Sequence, residues 1–352
     1  MHDARRLGLL LGLGLVLAGC GSTRFDGAVL PHPGHLLVRG ARQVFAMSSD
    51  GRLAGSTNDN TAAYWAQPGS ALVALRPYRG QVASTAFDVD AKGRVAGYVR
   101  TDGQAFRLVT WANASAAPVA LRLPPGYTVS TGVITGLRLG PGQSLVGTLI
   151  GPEAPNGALA VWRTPTALPK ISRLPGSERQ LPESVSPSGL LVTRRLGGDG
   201  PTYTLWRIDG ERATLSGPLS LPRPSNTRNA RPRAVSDAGR ITGVINLDSS
   251  RSRVAAWSST GTQPHLLPSL AGRTNVPAAI NDRGLVGGHA YDDTGGVAVV
   301  WRGDRVIDLN TLLPANTGYQ LQSVRALSNT GYALCVATNP SKRSVQLVFR
   351  VP

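Results

Sequence analysis

The residue types that most often carry chemistry are scarce in this chain, and they are scattered. Five histidines, two cysteines and 20 acidic residues are spread over 352 positions. His2 lies in an apolar N-terminal stretch, His32 and His35 follow a proline-containing segment, and His265 and His289 stand alone. No two have zinc-ligand spacing, so a metal site would have to be assembled from distant segments. No metal and no cofactor are expected. His289 is close to Asp292 and Asp293, which reads as a solvated acidic loop in preference to a cation site. Cys335, between Leu334 and Val336, reads as a small buried hydrophobe, because a reactive thiol needs a neighbouring base or cation. "RRLGGDG" from Arg194 lacks the strand-to-helix setting of a phosphate loop. No catalytic residue is assigned.

Arginine is the exception to this scarcity. The formal net charge is +17, and lysine occurs only at Lys92, Lys170 and Lys342. Guanidinium forks bind carboxylates and phosphates bidentately, and a broad positive field speeds encounter with anions. Arg194, Arg195, Arg228, Arg231, Arg233, Arg251 and Arg253 cluster in a few segments and are the candidate contacts for an anionic partner. An arginine-rich solubilising surface would give the same composition.

The elements that must position these side chains follow from a repeat. "MSSDGRLAG" from Met47, "VDAKGRVAG" from Val89, "LGPGQSLVG" from Leu139 and "VSPSGLLVT" from Val185 share one pattern. It continues with "VSDAGRITG" from Val235, "INDRGLVGG" from Ile280 and "LSNTGYALC" from Leu327. A recurrence every 42 to 50 residues matches the length of a four-stranded propeller blade. A Ser, Asp or Asn three residues before the turn glycine accepts a backbone N–H and starts the reversal, and the glycine supplies positive φ. The third unit departs, with Gln143 at the aligned site and Gly142 before it, which predicts a turn shifted by one residue. A second glycine, as at Gly55, Gly97, Gly243 and Gly288, falls inside the next strand and lets a neighbouring backbone approach. Each of the six tryptophans, and Phe349 in the seventh unit, ends the following apolar run, where one large ring per unit suits the stacking of equivalent sheets.

These signals predict an all-β, seven-bladed β-propeller over residues 35–352. The seventh unit lacks a fourth strand, so "HLLVRG" from His35 is expected to complete it and close the ring. Loops between second and third strands and between blades are long and variable, which is where binding on a rigid scaffold resides. Most of the candidate arginines fall there.

The first 19 residues read as a signal peptide, with Arg5 and Arg6 before an apolar run too short to span a bilayer comfortably. Leu17, Ala18, Gly19 and Cys20 resemble a bacterial lipoprotein cleavage box, which implies acylation of Cys20, and residues 20–34 are then a tether. Gly21 after the cysteine implies outer-membrane sorting, on the periplasmic or the cell-surface side. Three acyl chains, at about 0.8 kcal/mol per buried methylene, give lasting attachment.

The "IN..G..GG" turn, Gln104-Ala105-Phe106, and "DLNTLLP" from Asp308 followed by "VQLVFRVP" resemble the HAF-type extracellular repeat proteins of bacteria. The resemblance implies an exported propeller and brings no catalytic residues. The expected function is a monomeric, lipid-anchored, non-enzymatic binding or scaffold module for an envelope protein or an anionic glycan or lipid. Nucleic acid is disfavoured by compartment. The alternatives are a lyase or glycan hydrolase at the central channel, and a lectin using Tyr78, Tyr127, Tyr291 and Tyr319.

Overall fold

The computed structural model describes residues 35–38, 40–103, 106–129, 136–172, 180–195, 201–248 and 251–351. The expected signal segment, Cys20 and the tether lie outside these residues, as do Gln104, Ala105 and His32.

The described strands form seven four-stranded antiparallel sheets. Blades 1 to 6 span residues 41–74, 81–120, 138–172, 180–215, 229–266 and 274–308, each taking its strands in chain order. Blade 7 consists of Gln320–Leu327, Tyr332–Thr338 and Ser344–Arg350, completed by His35–Leu37. The closing strand pairs His35 with Phe349 and Leu37 with Leu347, as the missing fourth run requires. The first strand of each blade touches that of the next, and the first strand of blade 7 touches that of blade 1. The seven first strands therefore surround one axis.

The repeated turn works as its residue types predict. The hydroxyl of Ser48 accepts the Arg52 N–H at 2.9 Å, the carboxylate of Asp90 accepts that of Arg94 at 2.9 Å, and the hydroxyl of Ser328 accepts that of Tyr332 at 2.9 Å. The third unit is shifted, with positive φ at Gly142.

The second glycine has a specific cause. In blades 1, 2, 4, 5, 6 and 7 the pairing of first and second strands skips a residue at a common position, respectively Phe45, Phe87, Glu183, Arg233, Ala278 and Arg325, and blades 1, 2 and 7 also skip Arg42, Val82 and Gln322. Each skip is a β-bulge, which pushes the inner backbone toward the second strand. A Cβ on Gly55, Gly97, Gly243 or Gly288 would lie 2.1, 2.1, 2.1 or 2.0 Å from a carbonyl oxygen of that inner strand. In those four blades glycine admits the bulge, whereas Thr193 and Cys335 stand at the equivalent place in blades 4 and 7.

Every tryptophan is at least 96 % buried. Four donate their indole N–H to the preceding blade where its fourth strand exits. Trp111 bonds to the Arg76 carbonyl at 3.0 Å, and Trp162, Trp257 and Trp301 bond to those of Arg122, Pro222 and Pro268, each at 2.8 Å. A ring that fills the gap between two sheets thus also satisfies a loop carbonyl that closure would otherwise strand. Trp206 differs, donating to Thr193 Oγ1 of its own blade at 2.9 Å, since Thr193 replaces the second glycine there. "DLNTLLP" is structural in the same sense. Asp308 caps a 3-10 turn over Leu309–Leu312, and Asn310 exchanges two hydrogen bonds with the backbone of Leu321, joining blade 6 to blade 7.

Two substitutions separate these contributions. Trp257→Phe keeps most of the packing and loses one hydrogen bond, so it should cost about 1 kcal/mol in chemical denaturation, against about 3 to 5 kcal/mol for Trp257→Ala. Gly243→Ala, which adds one methyl against the Arg231 carbonyl, should cost about 2 kcal/mol or more, because the bulge must move.

Candidate functional site

A skipped residue has no partner across the ladder, so its side chain is released from the alternation that sends its neighbours between blades. Around the ring this places phenylalanine in blades 1 and 2, glutamate in blade 4 and arginine in blades 5 and 7.

The two arcs differ in chemistry. On one, Phe45 meets Phe87 edge to face at 5.1 Å between ring centroids, Phe87 meets Tyr98 at 5.3 Å, and Tyr98 meets Phe106 at 5.5 Å. On the other, the Arg233 guanidinium lies 3.9 Å above the Tyr203 ring, and Arg194 forms an ion pair with Glu183. Arg233 is half-buried, and its Nε is enclosed with no hydrogen-bond partner among the described residues. Burial lowers the pKa of Arg233, with the ring of Tyr203 and Glu183 opposing and Arg231 and Arg194 adding to the shift. Burial raises the pKa of the Tyr203 phenol, opposed by Arg233. His289 is stacked on Tyr291 at 5.6 Å, and burial, then Arg325 and Arg233, hold its pKa below the usual histidine value, which keeps it neutral. Three guanidinium groups, from Arg194, Arg231 and Arg233, thus gather near one carboxylate, Glu183.

One mouth of the channel is crossed by hydrogen bonds between turn tips. Ala238 and Asn329 donate to the two carboxylate oxygens of Asp282, each at 2.6 Å, and the Asn329 N–H reaches the Ser49 carbonyl at 2.6 Å. Burial raises the pKa of Asp237, the Ser49 hydrogen bond opposes that rise, and Asp282, Asp90 and Asp50 reinforce it. The other mouth is framed by the variable loops.

The seven predicted arginines divide by how their charge is used. Arg194, Arg231 and Arg233 come together at the junction of blades 4 and 5, and Arg228 is exposed on the rim nearby. Arg195 donates to Thr202 at 3.1 Å, Arg251 pairs with Asp248 at 2.6 Å, and Arg253 reaches the Leu267 carbonyl at 3.2 Å. Those three are engaged locally. Arg325 and Glu183 were not singled out by sequence as contacts, because nothing in the repeat marks the bulge residue. His289 corrects the sequence reading, lying on the strand Val286–Asp292 and not in a loop, while Asp292 pairs with Arg273 at 3.0 Å. The four tyrosines of the lectin reading are dispersed, with Tyr78, Tyr127 and Tyr319 packed against three different blade cores. His265 meets Asp304 at 3.1 Å on the exposed outer edge of blades 5 and 6. The Cys335 thiol is fully buried and its pKa is pushed up to about 12 by that burial, which suits the apolar role expected of it. Among the described residues no group of three or more His, Cys, Asp or Glu side chains could hold a metal ion.

The chain is a seven-bladed β-propeller, and comparisons with solved structures agree. The β-propeller domain of the Trilobed protease from Pyrococcus furiosus, described as having an open velcro topology, matches with a TM-score of 0.54 at 9 % identity, over 87 % of this chain and 94 % of that one. YCF48 bound to D1 peptide matches with a TM-score of 0.53 at 13 % identity, over 92 % of this chain and 97 % of that one. At such identities the likeness is one of fold. No family model matches the chain, and no curated protein matches it.

A chain of polar contacts in the channel wall gives a pH test. Asp88 accepts the N–H of Leu139 in blade 3 at 2.8 Å and that of Val89 at 3.0 Å, and Ser184 in blade 4 likewise accepts the N–H of Val235 in blade 5 at 3.1 Å. Burial raises the Asp88 pKa from 3.8 to about 6, only partly offset by Arg138 and these donors. The folded-state value lies above the unfolded one, so protonation favours the fold. That gain is complete below the ordinary aspartate range and lost as pH rises through about 6. Between pH ~5 and ~7.5 the wild-type protein should lose on the order of 1 kcal/mol more stability than Asp88→Asn, read from urea titrations at both values.

Proposed function

We propose that this propeller is an exported, lipid-anchored binding module, without enzymatic activity, whose variable-loop mouth takes an anionic partner of the cell envelope. The observation that carries this reading is the convergence of Arg194, Arg231 and Arg233 beside a single carboxylate, Glu183. Arginine is suited to the task because it holds its charge when half-buried and presents paired donors to carboxylate or phosphate. The enclosed Arg233 Nε offers one donor whose hydrogen bond an incoming anion would complete. Anchoring through Cys20 rests on the lipobox-like residues 17–20 and places the module at a membrane surface, where proteins, acidic glycans and lipid headgroups are within reach of the tether. The resemblance to HAF-type repeats supports export. That YCF48 holds D1 peptide is a property of that protein, and it illustrates that a propeller of this architecture accommodates a peptide partner.

The test is capture of partners from a membrane extract across a salt series. Capture should fall steeply as ionic strength rises from about 50 to 500 mM, since screening shortens the reach of surface charge. Arg228→Glu with Arg231→Glu should reduce capture at least about tenfold, reversing two exposed charges beside the cluster. Arg251→Gln and Arg253→Gln should leave it within about twofold, because those guanidinium groups are already engaged. Capture indifferent to both salt and charge reversal would reject the reading.

A further inference from the structure

We infer that the cleft between blades 1 and 2, on the side of the repeated turns, is a binding site for a phosphate monoester. It lies away from the variable loops and does not rest on the reading given to them.

The cleft has a volume of about 480 Å³ and takes its lining from both blades. Blade 1 supplies Arg52 and Tyr64, the chain leaving its fourth strand supplies Arg76, and two turns of blade 2 supply Lys92 and Asn113. Three cations line it and no carboxylate does. Arg76 and Lys92 are exposed, and neither has an ion-pair partner among the described residues. Arg52 is the fixed member of the set. Its Nε donates to Asp50 at 2.8 Å and to the Ala91 carbonyl of blade 2 at 3.3 Å, and its Nη1 donates to the Tyr64 hydroxyl at 2.5 Å. Asp50 therefore engages the Nε edge of the guanidinium, and the remaining N–H groups have no partner among the described residues.

Tyr64 carries the argument from charge to a built site. It is only 6 % exposed, and because Arg52 Nη1 can only donate, the phenol oxygen is the acceptor in their bond. The O–H of Tyr64 is then unspent, with no acceptor among the described residues. An anion oxygen arriving in the cleft would complete that bond. Asn113 is used in the same sense, since its oxygen accepts the Ser115 N–H at 3.0 Å and the Ser115 hydroxyl at 2.9 Å, which leaves its NH2 group to donate. Gly93, at φ +80°, keeps the donors uncovered. A Cβ there would lie 3.6 Å from Arg52 Nη1 and 3.7 Å from the Tyr64 hydroxyl, in contact with both.

The chemistry left over in these side chains is that of donors and positive charge. A phosphate monoester brings three terminal oxygens and nearly two negative charges at neutral pH, where a carboxylate brings two oxygens and one charge. The volume falls within the range of small-molecule sites, so the phosphate has room for an organic body beside Val73, Ala74 and Ala114.

The experiment uses the full chain carrying Cys20→Ser, so that no acyl chain contributes, and titrates it with glycerol phosphate by calorimetry. Glycerate serves as the carboxylate of similar size. Glycerol phosphate should saturate one site, and glycerate should bind at least about tenfold more weakly. Tyr64→Phe keeps the buried ring and removes the hydroxyl, and it should weaken glycerol phosphate about fivefold or more. Arg76→Gln and Lys92→Gln, at exposed positions that do not threaten folding, should each weaken it by about the same factor. Lowering the pH from about 7.5 to about 5.5 should weaken binding several-fold, as the ligand gains its second proton. The source of the phosphate is read from co-sedimentation with vesicles containing phosphatidic acid, whose headgroup is itself a phosphate monoester. Sedimentation that is lost in the Tyr64→Phe, Arg76→Gln double variant assigns a lipid headgroup; saturable glycerol phosphate binding without sedimentation assigns a soluble ester, and both uphold the site. Three results would overturn it: no saturable binding of glycerol phosphate at millimolar concentration together with no vesicle sedimentation, equal affinity for glycerate, or an affinity unmoved in all three single variants.

Discussion

The structure depends on one recurring contact, the hydrogen bond from a buried indole to a backbone carbonyl on the preceding blade. A sheet face is apolar and slides easily over another apolar face. The indole ring adds area without direction, and its N–H adds direction without needing water. Trp111, Trp162, Trp257 and Trp301 each fix the exit of the previous blade's fourth strand at one height, and that height sets where the next first strand begins. Repeating the contact around the axis makes the wedges equal enough to close. The last gap is closed differently, by backbone pairing between His35–Leu37 and the final strand.

The repeated positions of the sequence are those that build this frame, and for that reason the frame was legible. Turn glycines, oxygen-bearing residues three before them, and one aromatic per unit report on backbone geometry that every blade must share. The function of the second glycine was legible only in outline. Periodicity shows that Gly55 and Gly243 admit a close backbone, but not that the intruder is the carbonyl of the same blade's inner strand across a bulge.

The candidate site was less legible for a physical reason. Several of its residues occupy an inner-strand position that the repeat leaves free, filled by Phe45, Phe87, Glu183, Arg233, Ala278 and Arg325 in turn. A search for similarity passes over a position whose occupants share nothing. Charge counting found the arginine-rich segments, yet could not separate Arg233, aimed at Tyr203, from Arg251 and Arg253, which are spent on Asp248 and the Leu267 carbonyl. That separation depends on three-dimensional neighbours 3 to 30 residues away in sequence.

The bulge on the inner strand has a consequence for how such a molecule changes over generations. Because the distortion is held largely by backbone pairing, the repeat does not dictate the residue at its apex. Six of the blades then offer a variable station on the inner strand, and the ring as a whole works like a combination dial. Altering one station at a time would retune the chemistry of the inner strands while the mechanism that keeps the ring shut goes untouched.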